Sequence, residues 1–183
     1  AHYRSDTLTL NYDPTEGLEA AITRLCSEAE DLVRNKNTVI LVLSDRQIHP
    51  GLLPIPAAMA VGAVQKHLVV QKLRCDSNII VETASTRDSH QFAVLLGLGA
   101  TAIYPYLAFE TIEQLVEQGQ INLTARQAVS NYRDGINKGL LKILSKMGIS
   151  TIASYRCAGL YEVIGLGEDI MSLCFPELPS RLK

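Results

Sequence analysis

The sequence predicts an α/β fold with a parallel sheet of about four βα units. Short β-branched and aliphatic runs alternate along the chain with longer stretches of helical periodicity. Continuous apolar runs are typical of strands covered on both faces, and their alternation with helices requires crossover connections. Apolar residues make up 47% of the 183 residues, which is enough for one aliphatic core. We therefore expect a single α/β domain over 1–183, in which 1–14 is a poorly ordered lead-in.

Each element is predicted from its length and its apolar period. The strands are expected at 38–44, 78–82, 101–104 and 149–153. The helices are expected at 15–33, 54–73, 87–96, 107–117 and 124–147. The last helix begins with Thr124 and Gln127 at the spacing of a capping box, and Gly135 and Gly139 are expected to bend or divide it.

Composition excludes several classes of protein. Seventeen Lys and Arg against nineteen Asp and Glu give a formal charge of −2, which argues against a nucleic-acid groove. The four cysteines have no CxxC or CxH spacing, which indicates buried thiols in a reducing compartment rather than metal ligands. The most apolar stretch, 52–70, is interrupted by prolines and polar residues and cannot cross a membrane. We expect a cytoplasmic protein without membrane or nucleic-acid partners.

Length gives a further constraint on the fold. A closed eight-stranded α/β barrel needs about 250 residues, so this chain can hold only part of one. The chain also begins with Ala1 rather than Met and has no signal segment, which predicts a piece of a longer protein.

Polar side chains follow three of the predicted strands, where sites form in parallel α/β sheets. They are Asp45, Arg46, Glu82, Arg87, Asp88, His90 and Arg156. If the strands are neighbours, these groups converge, and they would form an anion or acid–base site. The alternative is an internal ion-pair network or a docking face for another domain, because Arg46 and Arg87 have acidic neighbours in the sequence. No Gly-x-Gly-x-x-Gly, Gly-Lys-Ser/Thr or Gly-x-Ser-x-Gly motif is present.

The segment 80–103 reads as strand, turn, short helix, Gly-Ala and strand. It resembles the penultimate β-α-β unit of flavin-binding barrels, in which a glycine-rich turn presents backbone N–H groups to a phosphate. Here Thr83, Ala84 and Thr86 stand where those glycines are expected. The resemblance therefore implies a partial, degenerate flavin-barrel-like half-barrel that binds no cofactor.

Longer phrases identify a family. The segments 40–46, 53–61, 87–93, 104–112, 138–151 and 154–156 resemble the central domain of the glutamate synthase large chain. PYLAFE at 105–110 and LSKMGIST at 144–151 are long and order-specific, and the similarity runs in register from Thr15 to about Arg181. Cys157 and the Ala84-Ser85-Thr86 phrase depart from the glycine-containing family pattern, which suggests a divergent member.

The resemblance implies a place in a large enzyme. Glutamate synthases convert 2-oxoglutarate and glutamine into two glutamates with a glutaminase domain, an FMN barrel and an iron–sulfur cluster. Ammonia passes between the two sites through an internal tunnel. The central domain joins those parts, and none of Cys26, Cys75, Cys157 or Cys174 matches the family's catalytic or cluster cysteines. We therefore expect a structural connector without catalytic residues, cofactor or metal, whose partners are the glutaminase and FMN domains.

Three alternatives concern the isolated piece and the polar cluster. The chain could be a free-standing small-molecule or anion-binding enzyme that uses Arg46, Arg87, His90 and Arg156. It could instead be a regulatory module that senses a metabolite within the synthase. Helix faces that missing domains would cover predict self-association of the isolated piece. The sequence of this segment does not tell which electron donor the parent enzyme uses, because that site would lie elsewhere in the enzyme.

Overall fold

The computed structural model describes residues 3–176 and 178–180, in which strands and helices alternate. The strands are β1 (Ser5–Thr9), β2 (Asn11–Tyr12), β3 (Ile40–Ser44), β4 (Leu53–Pro54), β5 (Asn78–Glu82) and β6 (Ala102–Tyr104). The helices are α1 (Leu18–Lys36), α2 (Ala57–Val70), α3 (Ser89–Leu98), α4 (Tyr106–Glu117), α5 (Ala125–Lys146), α6 (Ile152–Tyr155) and α7 (Glu168–Cys174). A single 3₁₀ turn, Arg74–Asp76, precedes β5.

The main sheet is parallel, and its strands follow the order β1-β3-β5-β6. Spatial order therefore repeats chain order, as it does for consecutive strands of an α/β barrel. The strands β2 and β4 form a separate two-stranded antiparallel ribbon. The α/β class and the four-stranded parallel sheet predicted from the sequence are confirmed.

One face of this sheet carries the core. The residues of β1, β3 and β5 that face α1 and α2 are buried: Leu8, Leu41, Leu43, Ile79 and Val81. Alanine-rich helix α2 packs close to the sheet because its inward positions include Ala60, Ala63 and Val64. The ring nitrogen Nε2 of His67 on α2 lies 2.7 Å from the Glu30 carboxylate on α1, which ties the two covering helices together.

The opposite face of the sheet is more open. Thr7, Val42 and Ile80 lie side by side in register on β1, β3 and β5. Thr7 is exposed and the other two are half-buried. Parallel sheets are ordinarily covered on both faces. The described residues therefore leave an apolar strip of the sheet partly uncovered.

Two sequence predictions about strands are wrong. Residues 149–153 were expected to form a strand, but α6 begins at Ile152, and the Thr151 hydroxyl caps it by accepting the Ser154 N–H at 3.3 Å. Hydroxyl side chains in this segment favour a helix start over a ladder. The fourth strand of the sheet is β1, within the segment 1–14 for which no strand was predicted. Its SDTLT sequence is polar because β1 lies at the edge of the sheet.

Helix α5 also differs from expectation, because it continues without division from Ala125 to Lys146. Its Thr124–Gln127 capping box is present, as predicted. Gly139 accommodates α3, since a Cβ there would collide with the Ser89 side chain. Gly135 has no neighbour near the position of a Cβ. Close helix packing therefore explains Gly139, whereas nothing in the structure explains Gly135.

Candidate functional site

The carboxyl ends of β3 and β5 bring Asp45 and Glu82 to the same edge of the sheet. Ser44 pairs in register with Glu82, and the Asp45 N–H donates to the Glu82 carbonyl at 3.2 Å. The Asp45 side chain is buried and points to the turn after β5. Its carboxylate accepts the Thr83 hydroxyl at 2.6 Å and the Ala84 N–H at 3.0 Å. The register of the parallel sheet thus delivers one buried carboxylate to the neighbouring turn.

Arg46 joins this edge to α4. Its guanidinium donates to Glu82 at 3.1 Å and to Glu110 of α4 at 2.7 Å. The guanidinium also lies 5.0 Å from the centre of the Tyr106 ring, within cation–π range. Hydrogen bonding to Glu82 raises the pKa of Arg46 above its ordinary value. Glu82 accepts in addition the Ser44 hydroxyl at 2.6 Å, so both of its oxygens have partners.

Tyr106 fills the space between Asp45 and Arg46. Its side chain is buried at the start of α4, directly after Pro105. Burial raises the pKa of Tyr106 to about 12, and hydrogen bonding to the Asp45 carboxylate acts in the same direction. The phenol therefore stays protonated at neutral pH.

Backbone N–H groups in the turn after β5 are used within the chain. The Ala84 N–H binds Asp45, and the Ser85 N–H donates to the Thr83 hydroxyl at 3.2 Å. The N–H groups of Arg87 and Asp88 both donate to the Gln91 side-chain carbonyl, at 2.7 and 3.3 Å. A phosphate-binding turn needs such N–H groups free to reach the ligand. This turn does not fit a flavin phosphate, because a carboxylate and an amide of the protein occupy its donors.

Three predicted site residues lie at the start of the short helix after this turn. Asp88 caps α3 by accepting the Gln91 N–H at 2.9 Å in a reciprocal capping box. His90 is exposed in the first turn of α3. Arg87 is exposed, and its guanidinium has no ion-pair partner within 3–176 and 178–180, although its carbonyl accepts the Tyr132 hydroxyl at 2.9 Å. The role of Asp88 is therefore local, while Arg87 and His90 face solvent.

Arg156 does not reach this edge of the sheet. Its guanidinium donates to the Thr101 hydroxyl at 3.1 Å, immediately before β6. The same amino edge holds Arg74, which donates to the carbonyls of Ser77 and Gly99 at 2.6 and 3.0 Å. The expected convergence of Arg46, Arg87, His90 and Arg156 is thus corrected, because the strand meant to carry Arg156 is not part of the sheet.

Metal-binding clusters and membrane-spanning helices are both absent from the part of the chain that the structure describes. No group of three or more His, Cys, Asp and Glu side chains among the described residues is arranged to hold a metal ion. Within the same residues, every helix is too short or too polar to span a bilayer. Sequence reasoning missed Thr83, Tyr106 and Glu110, whose hydroxyls and carboxylate complete the network. Of these three residues, only Thr83 could have been found from the sequence, because it stands where the resemblance places a glycine.

The fold and this edge define a class: a singly wound parallel α/β domain in which the charged side chains that end β3 and β5 have partners within the chain. The chain belongs to the glutamate synthase central domain family, whose model matches residues 1–167. It is 39% identical to the glutamate synthase [NADPH] large chain of Bacillus subtilis, over 92% of this chain. It is 41% identical to the chloroplastic ferredoxin-dependent glutamate synthase of Spinacia oleracea, over 98% of this chain. It is 40% identical to the glutamate synthase [NADH] of Schizosaccharomyces pombe, over 91% of this chain.

These relatives are far longer than the chain described above. The chain spans 11% of the Bacillus subtilis protein, 12% of the Spinacia oleracea protein and 8% of the Schizosaccharomyces pombe protein. The chain thus corresponds to one part of these glutamate synthases. The three relatives differ by name in their electron donor while matching this segment about equally well.

Proposed function

We propose that this chain is the structural connector of a glutamate synthase and joins its glutaminase and FMN domains. One observation carries the proposal: the charged groups that directly end β3 and β5 have partners within the chain, whereas Arg87 and His90 face solvent. Asp45, Arg46 and Glu82 all have partners in the chain. Four N–H groups in and after the turn that follows β5, those of Ala84, Ser85, Arg87 and Asp88, are likewise bonded within the chain. An edge satisfied in this way holds its loops in place and offers a substrate few groups to bind.

The partly uncovered sheet face supports the same proposal. Val42 and Ile80 form an apolar strip that the described residues do not fully cover. A part of a larger enzyme can leave such a strip for its neighbouring domains. On this proposal, FMN and the iron–sulfur cluster belong to other domains, and this domain contributes geometry. The cytoplasm is the proposed location, although the Spinacia oleracea relative is chloroplastic by name.

The free-standing anion-binding enzyme finds less support. It needs Arg46, Arg87, His90 and Arg156 around one site, and Arg156 lies at the other edge of the sheet. Arg46 is engaged by two carboxylates, which already neutralise it. Only Arg87 and His90 of the four residues remain for such a site, and substitutions of both are part of the test of the connector. A metabolite-sensing module would depend on the same four residues.

The test uses the complete synthase that contains this segment, assayed for glutaminase activity, ammonia-dependent glutamate formation and the coupled reaction. Arg46→Ala removes the tie between β3 and α4. We expect both half-reactions to persist in this variant, while more glutamine is hydrolysed for each glutamate made from 2-oxoglutarate. Arg34→Ala is the matched control, because its ion pair with Glu30 lies on the outside of α1. It should leave the coupling ratio unchanged.

A catalytic role for this domain would lead to a different result in the same assays. Removing a catalytic acid, base or anion ligand costs about 10²- to 10⁴-fold in rate. If Arg87→Ala or His90→Ala reduces either half-reaction by that factor without loss of stability, the connector proposal is wrong. If the coupling ratio of Arg46→Ala equals that of Arg34→Ala, the connector proposal fails as well.

A further inference from the structure

Helix α5 exposes a strongly basic face. The exposed side of this helix, called the α5 basic face below, carries Arg126 and Arg133 along one flank and Lys138, Lys142 and Lys146 in a row along the other, all of them exposed. No hydrogen bond or ion pair joins their side chains to another residue of 3–176 or 178–180. The whole chain has a formal charge of −2, so this positive charge is local rather than general.

The other basic side chains of the described segment behave differently. Nearly all of them bond to oxygens of the chain: Arg4, Arg24, Arg34, Lys36, Arg46, Lys66, Arg74 and Arg156. The exceptions outside α5 are Lys72 and Arg87. Arg87 adjoins α5, because its carbonyl accepts the hydroxyl of Tyr132 on that helix. The unpaired cations of the described residues are thus concentrated on one side of the molecule.

The four-residue spacing of the lysines on α5 destabilises the helix. Lys138, Lys142 and Lys146 are four residues apart, and like charges at that spacing repel one another. Asp134 is the one acidic residue of the helix. Helix α1, by contrast, pairs Arg24 with Glu28 and Arg34 with Glu30. A face that only had to be solvated could carry such pairs too.

An apolar residue stands within the basic face. Leu141 is 64% exposed and lies between Lys138 and Lys142 along the helix. Met147, directly after the helix, is 44% exposed. Apolar side chains ringed by charges are typical of surfaces that bind other proteins.

We propose that the α5 basic face docks against an acidic surface of another domain of the same complete chain. This inference rests on the proposed function, since it takes the neighbouring domains for granted. The chain spans 8–12% of its relatives, so most of the enzyme is covalently tethered to this segment. Tethering holds a complementary acidic surface at a high effective concentration. Carboxylates there would neutralise the lysines, and an apolar contact would cover Leu141.

The first experiment measures the accessibility of lysines in the complete chain. An amine-reactive acetylating reagent is applied briefly, and modification is quantified by mass spectrometry. Lys72, which is exposed and unpaired, is the internal reference. We expect Lys138 and Lys142 to react about tenfold more slowly than Lys72, and this protection to fall at about 1 M salt. Equal reaction of the three lysines would overturn the proposal.

The second experiment identifies the occupant. A zero-length carbodiimide joins lysines to carboxylates that they contact, and the expected products link Lys138, Lys142 or Lys146 to Asp or Glu outside this segment. The variant Lys138→Glu/Lys142→Glu/Lys146→Glu should increase hydrogen exchange in that acidic segment. The control Lys138→Arg/Lys142→Arg/Lys146→Arg keeps the charge and should keep the wild-type exchange. Unchanged exchange in peptides of α3 and β5 would verify that both variants are folded.

Other outcomes would overturn the proposal in different ways. Cross-links that join two copies and increase with protein concentration would make the face a self-association surface. Salt-sensitive binding of a labelled polyuridine probe, with no cross-link to carboxylates, would make it a nucleic-acid surface. If the lysines react freely while Arg46→Ala uncouples the synthase, the docking surface fails and the connector stands. If the lysines are protected but Arg46→Ala leaves coupling intact, the connector role fails alone.

Discussion

The carboxylate of Asp45 accepts the backbone N–H of Ala84 at 3.0 Å, across two neighbouring strands of the parallel sheet. An anion of the protein therefore occupies the place in the turn after β5 where an external phosphate would need its donors. Thr83 adds its hydroxyl at 2.6 Å and fixes the carboxylate from the other side. The chain itself therefore supplies the acceptor for these two donors of the turn.

Removal of this carboxylate should destabilise the domain. Asp45→Ala leaves the Ala84 N–H and the Thr83 hydroxyl without their acceptor in a buried setting, and we expect a loss of about 3 kcal/mol in the free energy of unfolding. Asp134→Ala is the control, because Asp134 is exposed on α5, and it should change stability by less than about 0.5 kcal/mol. Urea unfolding of the chain measures both. Equal effects of the two substitutions would contradict the assigned role of Asp45.

The edge strand β1 is held by a hydrogen bond from the buried Thr38 hydroxyl to Asp6, at 2.6 Å. This bond, followed by that from Arg4, holds the pKa of Asp6 below its ordinary 3.8. A lowered carboxyl pKa adds stability above the unfolded-state value, and the gain is lost as the pH falls through the folded value. Thr38→Val should therefore raise the pKa of Asp6 and weaken the pH dependence of stability below about pH 4.

Carbon-13 NMR titration of the Asp6 carboxyl group tests this directly. Thr111→Val provides the control, because the Thr111 hydroxyl donates to the Leu107 carbonyl within exposed α4. The control should leave the Asp6 titration as it is in the wild-type chain. An unchanged Asp6 pKa in Thr38→Val would show that the hydroxyl does not stabilise the carboxylate.

Two helical glycines should respond in opposite directions to alanine. A Cβ at Gly62 would collide with the Cys174 carbonyl and the Phe175 ring, where α7 approaches α2. Gly62→Ala should cost about 1–3 kcal/mol, because the helices must separate. Gly135→Ala meets no neighbour and should stabilise α5 by about 0.5–1 kcal/mol. Thermal melting measures both, and a stabilised Gly62→Ala variant would contradict the close approach.

The four thiols should divide into two reactive and two inert groups. Burial raises the pKa of Cys26 to about 12 and that of Cys174 to about 11, whereas Cys75 and Cys157 are exposed. Because the thiolate is the reactive form, iodoacetamide at about pH 8 should modify the exposed pair in the native chain. The buried pair should react only after denaturation in urea. Detection of modified Cys26 in the native chain by mass spectrometry would refute the burial of this thiol in the core.

How well each strand could be predicted from the sequence depended on how deeply that strand is buried. Strands β3 and β5 were predictable because central parallel strands are continuous apolar runs. The edge strand β1 was not, because its polar SDTLT sequence resembles a loop. The wrong strand at 149–153 contained an apolar pattern that serves packing instead: Tyr155 is buried against Ala93, Leu96 and Leu144. Periodicity alone does not separate a short apolar strand from a capped helical turn.

The predictability of the site followed the register of the sheet. Asp45 and Glu82 were expected to meet because each lies at the carboxyl end of its strand, and the structure brings them together. The partner of Arg46 on α4 was not expected, since Glu110 lies 64 residues further along the chain. The placement of Arg156 failed together with the strand on which it depended. Contacts between side chains that are far apart in the sequence could therefore not be predicted from the positions of the strands alone.

The order β1-β3-β5-β6 has a consequence for synthesis of the enzyme. Each strand of this sheet pairs with the sheet strand that precedes it in the chain, so pairing can advance as the chain is synthesised. The loops to be closed are the single βα connections, and closing a short loop is fast. The sheet can therefore be complete as soon as β6 has been made. Helices α4 to α7, which follow β6 in the chain, would then pack against a surface that has already formed.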